Sequence, residues 1–247
     1  MIVPHPEILF VVGMVGLYLY DSALLLASNE ALLSPVCKGR WRAMFGADGF
    51  QVRGKEPFCP NPLLPHRPLY RFSWNMEGLA GSGQAWSPPG NVYTILAPSV
   101  WLMLLALFVL IPAGLFSRLG SLAVVAGIVF FYLNALLALA LVWIKRADYA
   151  ICGRRFASLA IESLTCPPFA LNMVRRLSLG LQPREDFLSV IDQCLTGSER
   201  DAALTKVIIR VKNEIDWEDE GSARATALNA HLQFLSHESE SCRESKS

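Results

Sequence analysis

One carboxylate interrupts the first apolar stretch of the chain and is a candidate for chemistry inside a membrane. Asp21 and Ser22 lie within residues 8–27, which are otherwise apolar or aromatic. A carboxylate facing lipid is costly, so Asp21 is expected to face another helix or water, and such a group is by default a candidate ion, proton or substrate site. Asn134 is the only other strongly polar side chain in the apolar stretches. A packing role for Asp21 is therefore favoured over an ion pathway, which needs several ionisable groups.

Cys59 and His66, with Cys37 upstream, are the residue types of a metal site or of a nucleophile and its base. Their spacing matches no standard zinc pattern, and a fourth ligand is missing. A catalytic Cys/His pair can be distant in sequence, so the spacing does not argue against one. The chain has six cysteines and no CxxC pair, which is typical of free thiols in a reducing compartment. We predict no metal and no cofactor, and no pattern identifies a catalytic residue.

Basic and aromatic residues recur where the chain leaves its apolar stretches. Side chains of these types contact lipid headgroups at membrane–water interfaces. Generic contact of this kind is favoured over recognition of a specific ligand. The candidate interface residues are Arg67, Arg71, Trp74, Arg154, Arg155, Arg175 and Arg176.

Three apolar stretches are long enough to cross a bilayer, which takes about 20 mostly apolar residues. They are residues 8–27, 95–116 and 122–144, and the last two form a hairpin because only five residues separate them. The first could be a signal peptide, but no Lys or Arg precedes it, so a retained helix is predicted. The chain is 17% charged, against roughly 25% in soluble domains. The sequence therefore predicts an α-helical integral membrane protein with three transmembrane helices.

The distribution of Lys and Arg predicts the orientation of these helices. Basic residues concentrate in residues 28–94 and after residue 144, and all six cysteines lie in the same two segments. Basic segments remain in the cytoplasm, so the N-terminus is predicted outside and the C-terminus inside. Short loops and a compact chain favour a bacterial cytoplasmic membrane. The formal net charge of +1 gives no reason to expect nucleic acid as a partner.

The cytoplasmic segments are expected to carry both strands and helices. The first is too rich in Pro and Gly to be helical, and short strands are predicted at 40–45, 50–53 and 69–74, before a flexible linker at 78–91. After the hairpin, amphipathic stretches at 156–164 and 170–181 are predicted to lie along the inner leaflet, with a re-entrant helix pair as the alternative. Residues 183–247 have eight basic and thirteen acidic residues. Helical periodicity there predicts helices at 185–195, at 199–215 and from residue 222.

These elements divide the chain into six parts. They are the first transmembrane helix (1–29), a cytoplasmic loop with short strands (30–94), the transmembrane hairpin (95–146), interfacial helices (147–182), a cytosolic helical segment (183–238) and a disordered tail (239–247). The leading hypothesis is a non-enzymatic, multi-pass membrane protein. It would act as an anchored cytoplasmic platform or accessory subunit, with the bilayer and a protein partner or second copy as its partners. The alternatives are a small transport component using Asp21 and an inner-leaflet lipid-modifying enzyme.

Overall fold

The structure is a computed structural model of the chain, and it describes residues 5–36, 39–76, 86–87, 89, 91–117, 120–181, 183, 185–219 and 221–244. The protein is mostly helical and folds as two compact units, each built from separate stretches of sequence. The first unit comprises Met1–Leu24, Cys59–Leu69 and Pro88–Leu181, and the second Leu25–Phe58, Tyr70–Ser87 and Gln182–Ser247. Cys37, two residues of the hairpin loop and most of the predicted linker at 78–91 lie outside the described residues.

The first unit is helical. Its helices are α1 (Pro6–Ser22), α2 (Ala97–Leu105), α3 (Ile111–Phe116), α4 (Gly120–Ile144), α5 (Gly153–Thr165), α6 (Pro167–Leu171) and α7 (Met173–Leu179). A 3₁₀ turn (Asn91–Leu96) leads into α2, and a π-helical turn (Ala106–Leu110) joins α2 to α3. Pro112 explains the π-helical turn, because its nitrogen cannot donate to the carbonyl one turn earlier.

Two helices have the length and apolar composition of membrane-spanning helices. They are Val92–Phe116 and Gly120–Ile144, each of 25 residues, and neither contains an Asp, Glu, Lys or Arg. Glycines let them approach closely: a Cβ atom at Gly114 would lie 2.9 Å from the Val124 nitrogen, and one at Gly127 2.9 Å from Ile111 Cγ1. The two helices coincide with the apolar stretches predicted at 95–116 and 122–144.

The first predicted transmembrane helix is shorter than expected. Helix α1 has 17 residues, and the backbone is already extended at Ala23 before strand β1 (Leu24–Leu26). Its length is about 26 Å at 1.5 Å per residue, near the lower limit for a span. The prediction that the helix continues to residue 27 is wrong, because the last apolar residues pair with strand β4 (Glu56–Phe58) instead. Two candidate spans are present in the described residues, and a third at α1 stays a prediction.

Helix α5 returns along α4. The rings of Trp143 and Phe156 lie 4.9 Å apart near the end of α4, and the Tyr132 hydroxyl donates to the Leu164 carbonyl at 3.2 Å. Tyr132 lies twelve residues before Ile144, or about 18 Å along the helix. Helix α5 is therefore antiparallel to α4 and lies beside its C-terminal half.

The stretch predicted as one helix at 170–181 forms two short helices. Helix α5 ends at Thr165, before Pro167 and Pro168, and these prolines occupy the first turn of α6, where they are tolerated because their nitrogens need no helical acceptor. Asn172 then separates α6 from α7. Helix α6 packs against α1, α2 and α5, which brings this break next to the end of α1.

The second unit combines strands with three helices. Strands β2 (Glu30–Pro35), β3 (Trp41–Met44) and β5 (Tyr70–Ser73) form an antiparallel sheet in the order β3-β2-β5, in which Leu33 pairs with Ala43 on one side and Tyr70 on the other. The helices are α8 (Phe187–Cys194), α9 (Ser198–Trp217) and α10 (Ala223–Glu244), and α9 packs against β3. The three predicted C-terminal helices and the strands predicted at 40–45 and 69–74 are confirmed.

Two local predictions in the second unit are wrong. Residues 50–53 form no strand: Val52 makes only an isolated bridge to Lys55, because Arg53 and Gly54 have φ angles of 54° and 74° and form a tight turn. Helix α10 continues to Glu244, past the predicted start of the tail at residue 239. No glycine or proline follows Gly221 to end the helix.

Candidate functional site

The end of α1 carries a buried cluster of polar side chains. Asp21 and Ser22 are the last two residues of α1, and Asn172 lies between α6 and α7. The Asn172 amide donates to Asp21 Oδ2 at 2.9 Å and lies 3.0 Å from Ser22 Oγ. Ser22 also donates to the Tyr18 carbonyl at 2.8 Å. The sequence-predicted polar pair is thus held by the break between two short helices of the same unit.

Arg176 connects this cluster to the surface. Its guanidinium pairs with Asp21 on one side and Glu162 on the other, and it lies 4.9 Å from the centre of the Phe169 ring. The side chains are 8% exposed for Asp21, 25% for Arg176 and 42% for Glu162. The Ser158 hydroxyl donates to Glu162 at 2.7 Å. This hydrogen bond, with the Arg176 charge, lowers the pKa of Glu162 against the opposing effect of burial.

Arg175, the residue before Arg176, is buried. Its guanidinium donates to the carbonyls of Asn61 at 2.6 Å and Leu64 at 3.2 Å, and to Asn172 Oδ1 at 3.1 Å. Ser178 adds a further link, because its Oγ accepts from the Leu69 amide at 2.9 Å. Arg175 therefore ties the segment Cys59–Leu69 to the helices of the first unit.

A cleft of about 330 Å³ lies between α5 and α7. Its polar wall consists of Arg155, Ser158, Glu162 and Arg176, and its apolar wall of Ile151, Leu159, Leu177 and Leu179. Arg155 donates to the Gly180 carbonyl at 2.7 Å, and any side chain at Gly180 would collide with the Arg155 guanidinium. The cleft combines charged and hydrocarbon surfaces, as a site for an amphiphile requires.

The remaining polar and interface candidates are distributed over both units. In the first unit, the Asn134 amide donates to the Phe130 carbonyl of its own helix at 2.8 Å, Arg67 ends a turn at Leu64, and Arg154 is exposed at the start of α5. In the second unit, Arg71 lies 3.9 Å from Glu30. Trp74 and Arg175 are buried, so these two side chains lie inside their units and not on a lipid-facing surface.

The cysteine and histidine candidates lie in the first unit. Cys59 is exposed. The His66 ring lies 5.4 Å from that of Trp101, and its buried Nδ1 has no hydrogen-bond partner among the described residues. Burial, followed by the charges of Arg67 and Arg175, lowers the pKa of His66, so its imidazole is neutral at pH 7. The described residues contain no group of three His, Cys, Asp or Glu side chains that could hold a metal ion.

The second unit has its own cavity, of about 490 Å³, beside α9. A buried ion pair of Glu56 with Arg210 lies at its base, and an exposed pair of Asp48 with Lys206 lies at its rim. Trp217 also lines the cavity and is 89% exposed. The other lining residues include Gln51, Ile209, Asn213 and Asp216.

Sequence reasoning identified Asp21, Ser22 and both arginines but not how they combine. It placed Arg175 and Arg176 toward lipid headgroups, and it did not identify Asn172 or Glu162 as their partners. One feature of the sequence could have identified the pair of Asp21 with Arg176. A carboxylate in an apolar stretch needs a cation, and Arg176 lies in another apolar stretch. Comparison with protein-family models, curated proteins and solved structures finds no match, so the functional proposal depends on the geometry of these sites.

Proposed function

We propose that the protein is a membrane-anchored platform whose second unit binds a protein partner at the cavity beside α9. The apolar hairpin, Val92–Phe116 and Gly120–Ile144, would hold the first unit in the bilayer. We propose α1 as a third span, and with three crossings the positions of Lys and Arg support an N-terminus outside and a C-terminus in the cytoplasm. A bacterial cytoplasmic membrane is the proposed location.

The observation that carries this proposal is the exposed Trp217. A single exposed apolar residue is ordinary on a protein surface. Here Trp217 lies beside a cavity that Ile209, 42% exposed, also lines, and tryptophan is enriched among residues that dominate binding energy. Asp216 and Asp219 are exposed on either side of Trp217. Their charge disfavours an anionic lipid surface and favours a protein surface that presents basic residues.

The surroundings of Asp21 support a packing role for this residue. Its carboxylate pairs with Arg176, accepts a hydrogen bond from Asn172 and is 8% exposed. A transport site needs a carboxylate that can exchange its partner for the transported ion. Asp21 has two fixed partners that hold the end of α1 against α6 and α7.

Photo-crosslinking in membranes tests partner binding. A photoreactive amino acid at position 217 of the full chain should give a discrete adduct with another protein. The same group at Lys212, an exposed residue on a different face of α9, should give none. Replacing both Asp216 and Asp219 by lysine should strongly reduce the adduct if the partner is basic. An adduct of the chain with itself would identify a second copy as the partner, and equal adducts at 217 and 212 would contradict the proposal.

Thiol labelling tests the anchoring. In a chain whose native cysteines are replaced, a cysteine at Ser117 should react with a membrane-impermeant reagent added outside cells. Cysteines at Cys59 and Cys152, restored one at a time, should react only after the membrane is permeabilised. Labelling of Cys59 from outside would invert the proposed orientation.

A further inference from the structure

The cleft between α5 and α7 has features that neither partner binding nor the packing of α1 explains. Arg155 lines it and forms no ion pair among the described residues. Of the described charged residues that line the cleft, Arg176 is paired with both Glu162 and Asp21, which leaves Arg155 as the cation without a carboxylate partner. A guanidinium that lines a cleft without a carboxylate partner favours an anion.

The opposite wall of the cleft favours an anion that has an apolar part. Leu159, Leu177 and Leu179 line the cleft together with Ile151. An inorganic anion gains nothing from a hydrocarbon wall, whereas each CH₂ group buried there contributes favourably to binding. The volume of about 330 Å³ lies at the lower end of ligand pockets, about 300–1,000 Å³. It suits a headgroup with the first part of a chain, and the rest of the ligand would remain outside.

The position of the cleft indicates where the remaining chain would go. Helix α5, which forms one wall, lies antiparallel beside the C-terminal half of α4. Ile161 on α5 and Ile144 at the end of α4 are both highly exposed. The two helices therefore also present apolar surface outside the cleft, where the rest of an acyl chain can be accommodated.

We propose that the cleft binds one phosphate-bearing lipid, with its phosphate on Arg155 and its first methylene groups along Leu159 and Leu177. This inference depends on the proposed membrane anchoring but not on the binding of a protein partner. Glu162 and its bond to Arg176 form the end of the polar wall. They keep Arg176 directed into the protein, so Arg155 is the cation that the ligand meets.

Native mass spectrometry of the full chain in detergent tests the proposal with three probes. Phosphatidic acid carries both chemistries, diacylglycerol has the chains without phosphate, and inorganic phosphate has no chain. Phosphatidic acid should bind as one equivalent, with diacylglycerol at least about tenfold weaker. Inorganic phosphate should displace the lipid only at a large molar excess. Equal binding of diacylglycerol, or displacement by equimolar phosphate, would overturn the proposal.

Variants locate the binding in the cleft. Arg155→Gln should weaken phosphatidic acid binding about tenfold, since it removes one charge-assisted contact. Arg154→Gln is the matched control: Arg154 is equally exposed but does not line the cleft, so its effect should stay within about twofold. Ser158→Trp should reduce binding by filling the cleft without changing its charge. Equal effects at positions 154 and 155 would show only general attraction to the basic surface and would overturn the proposal. The crosslink at position 217 should not change in Arg155→Gln, which separates a failure here from a failure of partner binding.

Discussion

Arg175 in the first unit and Arg210 in the second are buried to the same extent, each 4% exposed, but they are stabilised differently. Both donate to backbone carbonyls far away in sequence. Arg175 binds those of Asn61 and Leu64, and Arg210 binds those of Ser28 and Glu30. Each arginine therefore fastens a loop or strand start to a helix of its own unit.

The charge of the two arginines is balanced in different ways. Arg210 forms an ion pair with Glu56, and its guanidinium lies 5.0 Å from the centre of the Phe45 ring. The side-chain partners of Arg175 are the neutral Ser22 and Asn172. The carboxylate of this cluster, that of Asp21, pairs instead with Arg176, the residue after Arg175. In the first unit, Arg175 therefore binds the backbone carbonyls and Arg176 forms the ion pair, whereas in the second unit Arg210 does both.

Loss of Arg210 is expected to be the most damaging change. In Arg210→Met, Glu56 keeps a buried charge without its partner, and two carbonyls lose their donor. Breaking a buried ion pair from one side costs about 3–5 kcal/mol. Hydrogen–deuterium exchange of the full chain should show this loss in peptides from β2 and α9.

Two further variants separate charge from hydrogen bonding at this site. Lys206→Met removes the exposed pair with Asp48 on the same face of α9 and should cost less than about 1 kcal/mol. Adding Glu56→Leu to Arg210→Met should restore part of the loss, because no unpaired charge remains. If Lys206→Met were as destabilising as Arg210→Met, burial of the pair would not be the cause.

Arg175→Met should be destabilising to a smaller degree. It leaves Asp21 paired with Arg176 but removes a donor from the buried Asn172 Oδ1 and from two partly buried carbonyls. A buried group without its partner costs about 1–3 kcal/mol, and water can replace the guanidinium at a carbonyl that it reaches. We expect about 2–3 kcal/mol, seen as faster exchange in residues 59–69 and in α7. Arg155→Gln, which removes one exposed bond to Gly180, is the control and should change exchange little. A loss equal to that of Arg210→Met would show that charge balance does not distinguish the two sites.

Acid should weaken the surface end of the network in the first unit. The Ser158 hydroxyl and Arg176 lower the pKa of Glu162 below its usual 4.5. A carboxyl whose pKa is lower in the folded state stabilises the fold above its unfolded pKa, and that contribution disappears as the pH falls through the folded value.

The expected effect is small because Glu162 is partly exposed: less than about 1 kcal/mol after screening by solvent. The protection factors in α5 and α7, which correct for the intrinsic pH dependence of amide exchange, should be constant from pH 7 to pH 5 and fall below about 4.5. Glu162→Gln should reduce this acid-induced loss of protection. An unchanged acid response in Glu162→Gln would contradict the assignment.

The hairpin could be predicted because its signal is local. Long apolar stretches without charge identify spans wherever they occur, and residues 95–116 and 122–144 become the two apolar helices. The end of α1 could not be predicted in the same way, because a continuous apolar sequence is compatible with a helix, a turn or a strand. Strand β2 is not predicted either, for a related reason. Four consecutive residues, Ala31 to Ser34, are buried, so the alternation that marks a half-exposed strand is absent.

The candidate site was predicted only in part because its contacts are distant in sequence. Asp21 and Asn172 are separated by 151 residues. The sequence correctly requires a polar partner for Asp21, but nothing near it identifies Asn172 or Arg176. Arg175 and Arg176 differ only in the direction they face from a short helix. That direction depends on where Asn172 breaks the chain, which tertiary packing determines.

Replacement of Asn134 should lower the stability of the protein less than replacement of the other buried polar residues. This prediction tests whether a buried polar side chain stabilises the fold by itself or only when it joins two segments. Among the residues that the structure describes, its amide bonds only within its own helix, to Phe130, so Asn134→Leu breaks no described link between elements. The Phe130 carbonyl keeps its helical hydrogen bond, and we expect the stability in detergent to change by less than about 1 kcal/mol. Asp21→Leu is the comparison, because it removes a carboxylate that joins α1 to α7 and should lower the yield of folded protein. If Asn134→Leu instead lowered the yield as much as Asp21→Leu does, a buried polar side chain would stabilise the fold without joining two segments.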